Sequence, residues 1–246
     1  MELRIVATGS HGNTYVLTDK TGRMLMLDCG IAMPDIYRAV GFNAAALDIC
    51  LCSSFHGDHS KSAKAMLNAF MPVSMSSLTA TNLGIPFNAP TLKIRNEAQS
   101  FVIGNWRIIP FSTFHDSPGS LGYLIENTVE DMKIAYVGES GFIKYQFPDL
   151  NVLIAECNFD EDTIESHKQD MAERYLRVRE SHMSLKRLKS YLDKSPMPNL
   201  RQIVLVHLSD SNSSEQRMLE ELRAQTGVSV TAAREGLNVN LDVVPF

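Results

Sequence analysis

The sequence predicts a single α/β domain in which two sheets are faced by helices. Strand-like runs fill both halves of the chain, and each half also carries helical segments, the pattern of sheets layered under helices. No Pro/Gly/Ser-rich linker, composition shift or internal repeat divides the 246 residues. One domain over 1–246 of that length buries a sizeable core.

The elements follow in order. Glu2 to Ala7 reads as a strand, and Thr8 to Thr14 as a turn broken by Gly9, Gly12 and Asn13. Tyr15 to Thr18 and Met24 to Leu27 are strands joined by the hairpin signal Asp19-Lys20-Thr21-Gly22. Pro34 to Val40 is helical, Leu47 to Cys52 is a buried strand, and Lys61 to Phe70 is helical again. A short strand around Pro72 to Met75 and a helical piece from Ser76 to Leu83 come next. Thr91 to Arg95, Ser100 to Ile103 and Trp106 to Phe111 are expected to form a meander, with Gly104-Asn105 as a turn. Leu121 to Glu126, Lys133 to Val137 and Val152 to Ala155 are strands. The longest helix is expected from about Asp162 to Arg179, with Met171, Tyr175 and Val178 on its apolar side. Ser184 caps a helix to Leu192, and Asn212 with Glu215 resembles a capping pair for a helix to about Gln225. Ile203 to Val206, Val228 to Ala232 and Leu237 to Val244 complete the strands.

A net charge of −5 argues against a nonspecific nucleic-acid coat but leaves room for a local basic pocket. No apolar run approaches the ~18 residues of a membrane span. Met1-Glu2-Leu3-Arg4 does not open a signal peptide, and Cys29, Cys50, Cys52 and Cys157 form no CxxC pair. The expectation is a cytoplasmic protein with reduced core cysteines.

The chemistry concentrates in Ser53-Ser54-Phe55-His56-Gly57-Asp58-His59, on a strand-to-helix turn. Imidazole and carboxylate ligate first-row metals, and a turn aims adjacent side chains at different points. A solvated polar turn has the same residue types. Of the seven histidines, His56, His59, His115, His182 and His207 lie at strand ends or just before a helix. Open α/β sheets place their sites at strand ends. With Asp58 and Glu139 in equivalent places, these positions point to one shared site.

The pattern resembles the metallo-β-lactamase superfamily, whose signature is HxHxDH followed by a distant His, an Asp and a C-terminal His. The resemblance runs through Gly9-Ser10-His11-Gly12-Asn13, Leu27-Asp28-Cys29-Gly30, His56-Gly57-Asp58-His59, His115-Asp116, Glu139-Ser140-Gly141, Glu156-Cys157-Asn158, Ser181-His182-Met183-Ser184 and Val206-His207-Leu208-Ser209. Phe142 to Pro148 and the later segment around His182 are similar to a phage and prophage branch that includes the anti-Pycsar cyclic-nucleotide phosphodiesterases. They are also similar to the YycJ-type nucleases and, more distantly, to ribonuclease Z.

The resemblance implies a four-layer αβ/βα sandwich and two divalent metals, zinc or manganese. His56 and His115 would hold one, and Asp58, His59 and His207 the other, with Glu139 bridging. Asp58 and His182 would be the catalytic residues, with His182 touching a phosphoryl oxygen or protonating the leaving group. A homodimer is also implied.

Two departures bear on this. Ser54 stands where the first histidine of HxHxDH belongs, and a serine hydroxyl is a poor zinc ligand, so one metal alone is a further expectation. Glu139 stands where the family has Asp, and its extra methylene reaches outward by roughly 1.5 Å, in a setting where metal distances hold to about ±0.2 Å. His11 is a replacement-ligand candidate, because the corresponding turn of the family passes near the site. His167 is expected to be exposed on the long helix.

For the substrate, Arg174 and Arg177 share a helix face and suit phosphate oxygens. Ser181 and Ser184 flank His182 at a helix start, where free N–H groups attract anions. A solvated helix face is the other reading of the arginines. Phe55, Phe114 and Tyr145 are aromatic candidates for base stacking, with core or loop packing as the alternative.

The leading expectation is a metal-dependent phosphodiesterase acting on a small cyclic nucleotide. The alternatives are an RNA or DNA nuclease and a catalytically impaired nucleotide-binding homologue. A polymer needs an extended basic track, which an acidic chain suits less well.

Overall fold

Two seven-stranded sheets are stacked face to face, each built almost wholly from one half of the sequence. The structure is a computed structural model that describes residues 1–166, 172–209 and 213–242; the side chains of 166 and 172–174 are also outside what it describes. In the first sheet, β1 (Glu2–Ala7), β2 (Thr14–Thr18) and β3 (Met24–Leu27) run antiparallel. β4 (Leu47–Leu51), β5 (Val73–Met75) and β6 (Leu92–Ile94) then add in parallel.

The second sheet repeats the scheme. β7 (Phe101–Ile103), β8 (Trp106–Ser112), β9 (Leu121–Asn127) and β10 (Met132–Gly138) are antiparallel. β11 (Val152–Glu156), β12 (Gln202–Val206) and β13 (Ser229–Ala232) follow in parallel. β14 (Asn238–Asn240) returns to the first sheet and pairs with β1. The expected meander is corrected here. The strand at Leu92–Ile94 extends the first sheet beside β5, while the next two strands open the second.

The central strands of each sheet are buried on both faces, β1, β7, β8 and β14 expose outward residues, and side-chain alternation sorts the rest between the faces. Leu3, Ile5, Tyr15, Leu17, Leu25 and Leu27 meet Trp106, Ile108, Tyr123, Ile134, Ile154 and Val204 in one cluster between the sheets. The intervening Val16, Met26, Cys50 and Cys52 pack outward with residues of α1 (Met33–Ala39) and α3 (Ala63–Asn68). On the other side, Ala135, Val137, Leu153, Ile203 and Leu205 pack with α7 (Leu185–Lys194) and α8 (Glu215–Thr226). Each large aliphatic side chain so buried contributes about 1.5–3 kcal/mol. A one-residue register slip would exchange the two faces along a whole strand. The result is a helix–sheet–sheet–helix sandwich.

The remaining helices follow the sequence with local differences. The helix expected from Lys61 to Phe70 is α3, a short α2 (Gly57–Ser60) starts inside the histidine turn itself, and α4 (Ser77–Asn82) is capped by Ser76. The long helix expected from Asp162 to Arg179 is described as α5 (Glu161–Ser166) and α6 (Ala172–Ser181). Met171 and His167 lie outside the described residues. Ser184 caps α7 as expected, its hydroxyl accepting from the Arg187 N–H. Ser214 caps α8 through the Arg217 N–H, in place of the expected Asn212, which lies outside the described residues. All four cysteines are buried and free, and no helix among the described residues is long and apolar enough to cross a membrane.

Candidate metal centre

The residues that follow the carboxyl ends of β3, β4, β8, β10 and β12 converge at one edge of the sandwich. They supply Asp28, the loop from Ser53 to His59, His115, Glu139 and His207, while Glu156 is the last residue of β11. Two local devices allow the crowding. Gly30 lies so close to the Asp58 carbonyl that a Cβ there would sit 1.7 Å from its oxygen, so only glycine fits. A bulge between Tyr136 and Gly138, with Gly138 at φ +65°, turns the chain just before Glu139. Asp28 and His207 also hold left-handed backbone, at φ 58° and 53°, a conformation that tends to cluster at functional sites.

Glu139 is the hub. Its Oε2 lies 2.8 Å from His115 Nε2 and 3.3 Å from His59 Nε2, and its Oε1 lies 3.1 Å from His207 Nε2. Two donor groups stand around it, besides a third set, Glu139, Glu156, His182 and His207, that overlaps the first at Glu139 and His207. The first, buried one comprises Asp58, His59, Glu139 and His207, with Asp58 Oδ2 3.6 Å from His59 Nε2 and 3.7 Å from His207 Nε2. The other comprises His56, His115 and Asp116. The extra methylene of Glu139 does not carry its carboxylate out of the centre. The carboxylate spans both groups.

The spacings among Asp58, His59 and Glu139, at 3.3 and 3.6 Å, fit donors around a metal ion, while the 2.8 and 3.1 Å contacts of Glu139 are at hydrogen-bond length. Donors bound tetrahedrally at 2.0–2.2 Å stand about 3.3–3.6 Å from one another. The buried His207 Nε2 has no hydrogen-bond partner among the described residues, although it faces two carboxylates. A buried polar atom left that way is costly unless something else meets it. Imidazole and carboxylate together suit zinc or manganese.

Outer partners orient the buried group. Asp28, fully buried, accepts from His59 Nδ1 at 2.7 Å, from the Ser53 N–H at 2.7 Å and from the Ser53 and Tyr136 hydroxyls. This fixes Nδ1 as the protonated nitrogen and leaves Nε2 for the centre. Glu156, also buried, does the same twice: its Oε1 is 2.9 Å from His207 Nδ1 and 2.5 Å from His182 Nδ1. Its Oε2 accepts from the Met183 and Ser140 N–H groups. Asn13 donates to Asp58 Oδ2 at 3.4 Å.

The charges respond to this packing. Burial works against protonation of His59, but Asp28 and Glu139 hold it well above the ordinary imidazole value. Burial likewise opposes the charge on His207, yet Glu139, Asp58 and Glu156 push it up to about 10. Burial also opposes the charge of Glu139, and His59, His207 and His115 hold it well below the usual carboxylate range. His56 moves the other way, lowered by burial and by repulsion from His115. Without metal, protons on His59 and His207 balance the carboxylates, so metal binding must release them.

A cleft of about 810 Å³ opens over the centre, lined by His56, Asp58, Glu139, His182 and His207 among others. The sequence placed His182 here. Its Nδ1 is engaged by Glu156, leaving Nε2 to act in the cleft. Arg177 lines the cleft too and donates to Asp116 at 2.7 Å. Arg179 turns toward Tyr175 and Glu165, and the side chain of Arg174 lies outside the described residues.

Ser181 and Ser184, expected as phosphate contacts, have hydroxyls engaged elsewhere. Neither lines the cleft; the Ser181 hydroxyl donates to the Arg177 carbonyl, and the Ser184 hydroxyl donates to Glu161 while capping α7. His11 lines the cleft but joins neither donor group. Among the aromatics, Phe114 stacks on Phe142, Tyr145 packs against Phe111, and Phe55 meets His56 edge-on; none lines the cleft.

Sequence reasoning gave no role to Asn13, Asp28, Asp116 or Glu156. Asp28 and Glu156 end apolar strands, the same signal that singled out Glu139.

No family model and no curated protein matches the sequence. Solved structures do match. The metallo-β-lactamase fold protein YhfI from Bacillus subtilis gives a TM-score of 0.75 at 17% identity, over 97% of this chain and 99% of that one. Zn(2+)-bound PqqB from Methylobacterium extorquens gives 0.67 at 13% identity, over 98% and 100%. The short form of human tRNase Z gives 0.63 at 14% identity, over 99% and 100%. At these identities the likeness speaks to architecture, and the chain has the metallo-β-lactamase fold.

Proposed function

We propose that this chain is a metal-dependent phosphodiesterase whose substrate is a cyclic mononucleotide. The observation that carries the reading is Glu139, whose carboxylate lines the cleft between two donor groups, with Oε2 beside His115 and His59 and Oε1 beside His207. Zinc or manganese ions held there supply Lewis acidity, lowering the pKa of water and offsetting charge on phosphoryl oxygens. The protein's own groups do the rest. Glu156 holds the His182 ring through Nδ1, so that Nε2 can deliver a proton to the leaving oxygen. Arg177 brings a guanidinium to the cleft wall, where it can meet a phosphate.

The size and charge of the cleft support a small substrate. Arg177 and Arg234 share its lining with Glu215 and Glu235, so the surroundings do not form an extended basic track of the kind a polymer requires. A nuclease is the second reading, supported by the match to human tRNase Z along nearly the whole chain. The test is a hydrolysis panel in added zinc or manganese, comparing 3′,5′- and 2′,3′-cyclic mononucleotides with linear RNA. The expected result is ring opening to a nucleoside monophosphate. Cleavage of RNA alone would overturn the cyclic-nucleotide reading, and nucleotide binding without turnover would mark an impaired homologue.

A further inference from the structure

The donor group of His56, His115 and Asp116 raises a question that the histidine motif leaves open. Ser54 stands where a third imidazole would complete it, yet its side chain is buried and its hydroxyl accepts the His56 N–H at 3.3 Å. It is committed to shaping the loop. Another donor already stands beside the two histidines: Asp116 Oδ1 lies 3.1 Å from His115 Nε2 and 3.4 Å from His56 Nε2. The 3.4 Å distance matches the spacing of donors around one ion, and the 3.1 Å distance is slightly shorter, at hydrogen-bond length. The other carboxylate oxygen, Oδ2, accepts from Arg177 Nε at 2.7 Å. The two oxygens therefore divide their work, one toward the histidines and one toward the guanidinium.

We propose that Asp116 is a metal ligand that replaces the donor missing at Ser54, completing a His56, His115, Asp116 set that shares Glu139. Arg177 is its positioning residue. By holding Oδ2 it fixes the rotation of the carboxylate and keeps Oδ1 turned to the histidines, as outer partners do for ligating groups elsewhere. Asp116 comes from the loop after β8, next in sequence to His115, whereas Ser54 lies on the loop after β4. The ligand thus moves from one sheet to the other while the site stays where it is.

The inference rests on the metal-centre reading, and the test separates the two. Zinc content per chain and stepwise zinc affinity are measured on chelator-stripped protein for wild type, Asp116→Asn and Arg177→Ala. The expected result is two ions in wild type, one in Asp116→Asn at the same free zinc, and two in Arg177→Ala with the weaker step loosened about 10–100-fold. Asp116 is partly exposed on a loop and the substitution keeps its shape, so circular dichroism should be unchanged. Arg177→Ala provides an independent reading if Asp116→Asn does not fold. Two ions of unchanged affinity in both variants would overturn the inference and leave the proposed function intact. Wild type that takes up no metal would overturn both.

Discussion

The two donor groups are built differently. In the buried one, the His59 and His207 side chains are 2% and 9% exposed, and Asp28, Glu156 and Asn158 hold their far nitrogens or backbone. In the other, the His56 and Asp116 side chains are 23% and 34% exposed and His115 is 1% exposed, while Asp58 of the first group is 22% exposed. There His115 Nδ1 faces the Ser181 carbonyl and Asp116 faces Arg177, while His56 has no outer carboxylate of its own other than these shared neighbours. Rigid outer partners keep ligands in place before an ion arrives, and solvent-facing ones leave that ordering to the binding event. On that ground the first group is expected to hold an ion more tightly than the second.

The largest effect should come from removing what the two groups share. Glu139→Ala is expected to lower zinc content at both sites and to reduce turnover at least ~100-fold, beyond the usual cost of losing an outer partner. Retention of two ions, read by elemental analysis, would mean that the groups are held independently of Glu139.

A smaller effect is expected at Glu156. Glu156→Gln keeps the shape but removes the charge that orients His182 and His207 together. Zinc affinity of the first group should fall about 10–100-fold while that of the second changes little. Equal weakening of both steps would erase the distinction between the groups.

The smallest effect concerns the metal-free protein. The proton on His207 is held by Glu139, Asp58 and Glu156, with a folded-state pKa pushed up to about 10. A raised value means that its stabilisation is complete below the unfolded imidazole pKa of about 6.5 and is lost as pH rises toward 10. The melting temperature in chelator should therefore decline over that window, by a few degrees, whereas zinc-loaded protein should not follow it. A flat metal-free profile would contradict the assigned charge balance.

Much of this could be read from the sequence, for reasons that differ between the two groups. His56, Asp58, His59, Glu139 and His207 end or follow apolar strands, and strand ends of a layered sheet meet at one edge. The alternation that separates Leu25 and Leu27 from Met26 was equally visible. The repeated strand scheme of the two halves was not, because it lies in hydrogen-bond topology and leaves no recurring residue pattern. Asp116 escaped for another reason. It is one residue beyond His115, and only the fold shows that its carboxylate turns back toward His56, which is 60 positions earlier in the chain. The expectation for Ser181 and Ser184 came from a helix start beside His182, whereas their hydroxyls serve the helices themselves. The leucine-rich face of α7 turned that start inward.

The claim that two unequal metal sites share Glu139 is tested most directly by one titration. Chelator-stripped wild type, His207→Ala and His56→Ala are titrated with zinc against a chromophoric competitor. Wild type should take up two ions in separate steps, with His207→Ala losing the tight step and His56→Ala only the weak one. A single step in wild type that neither substitution alters would contradict the account.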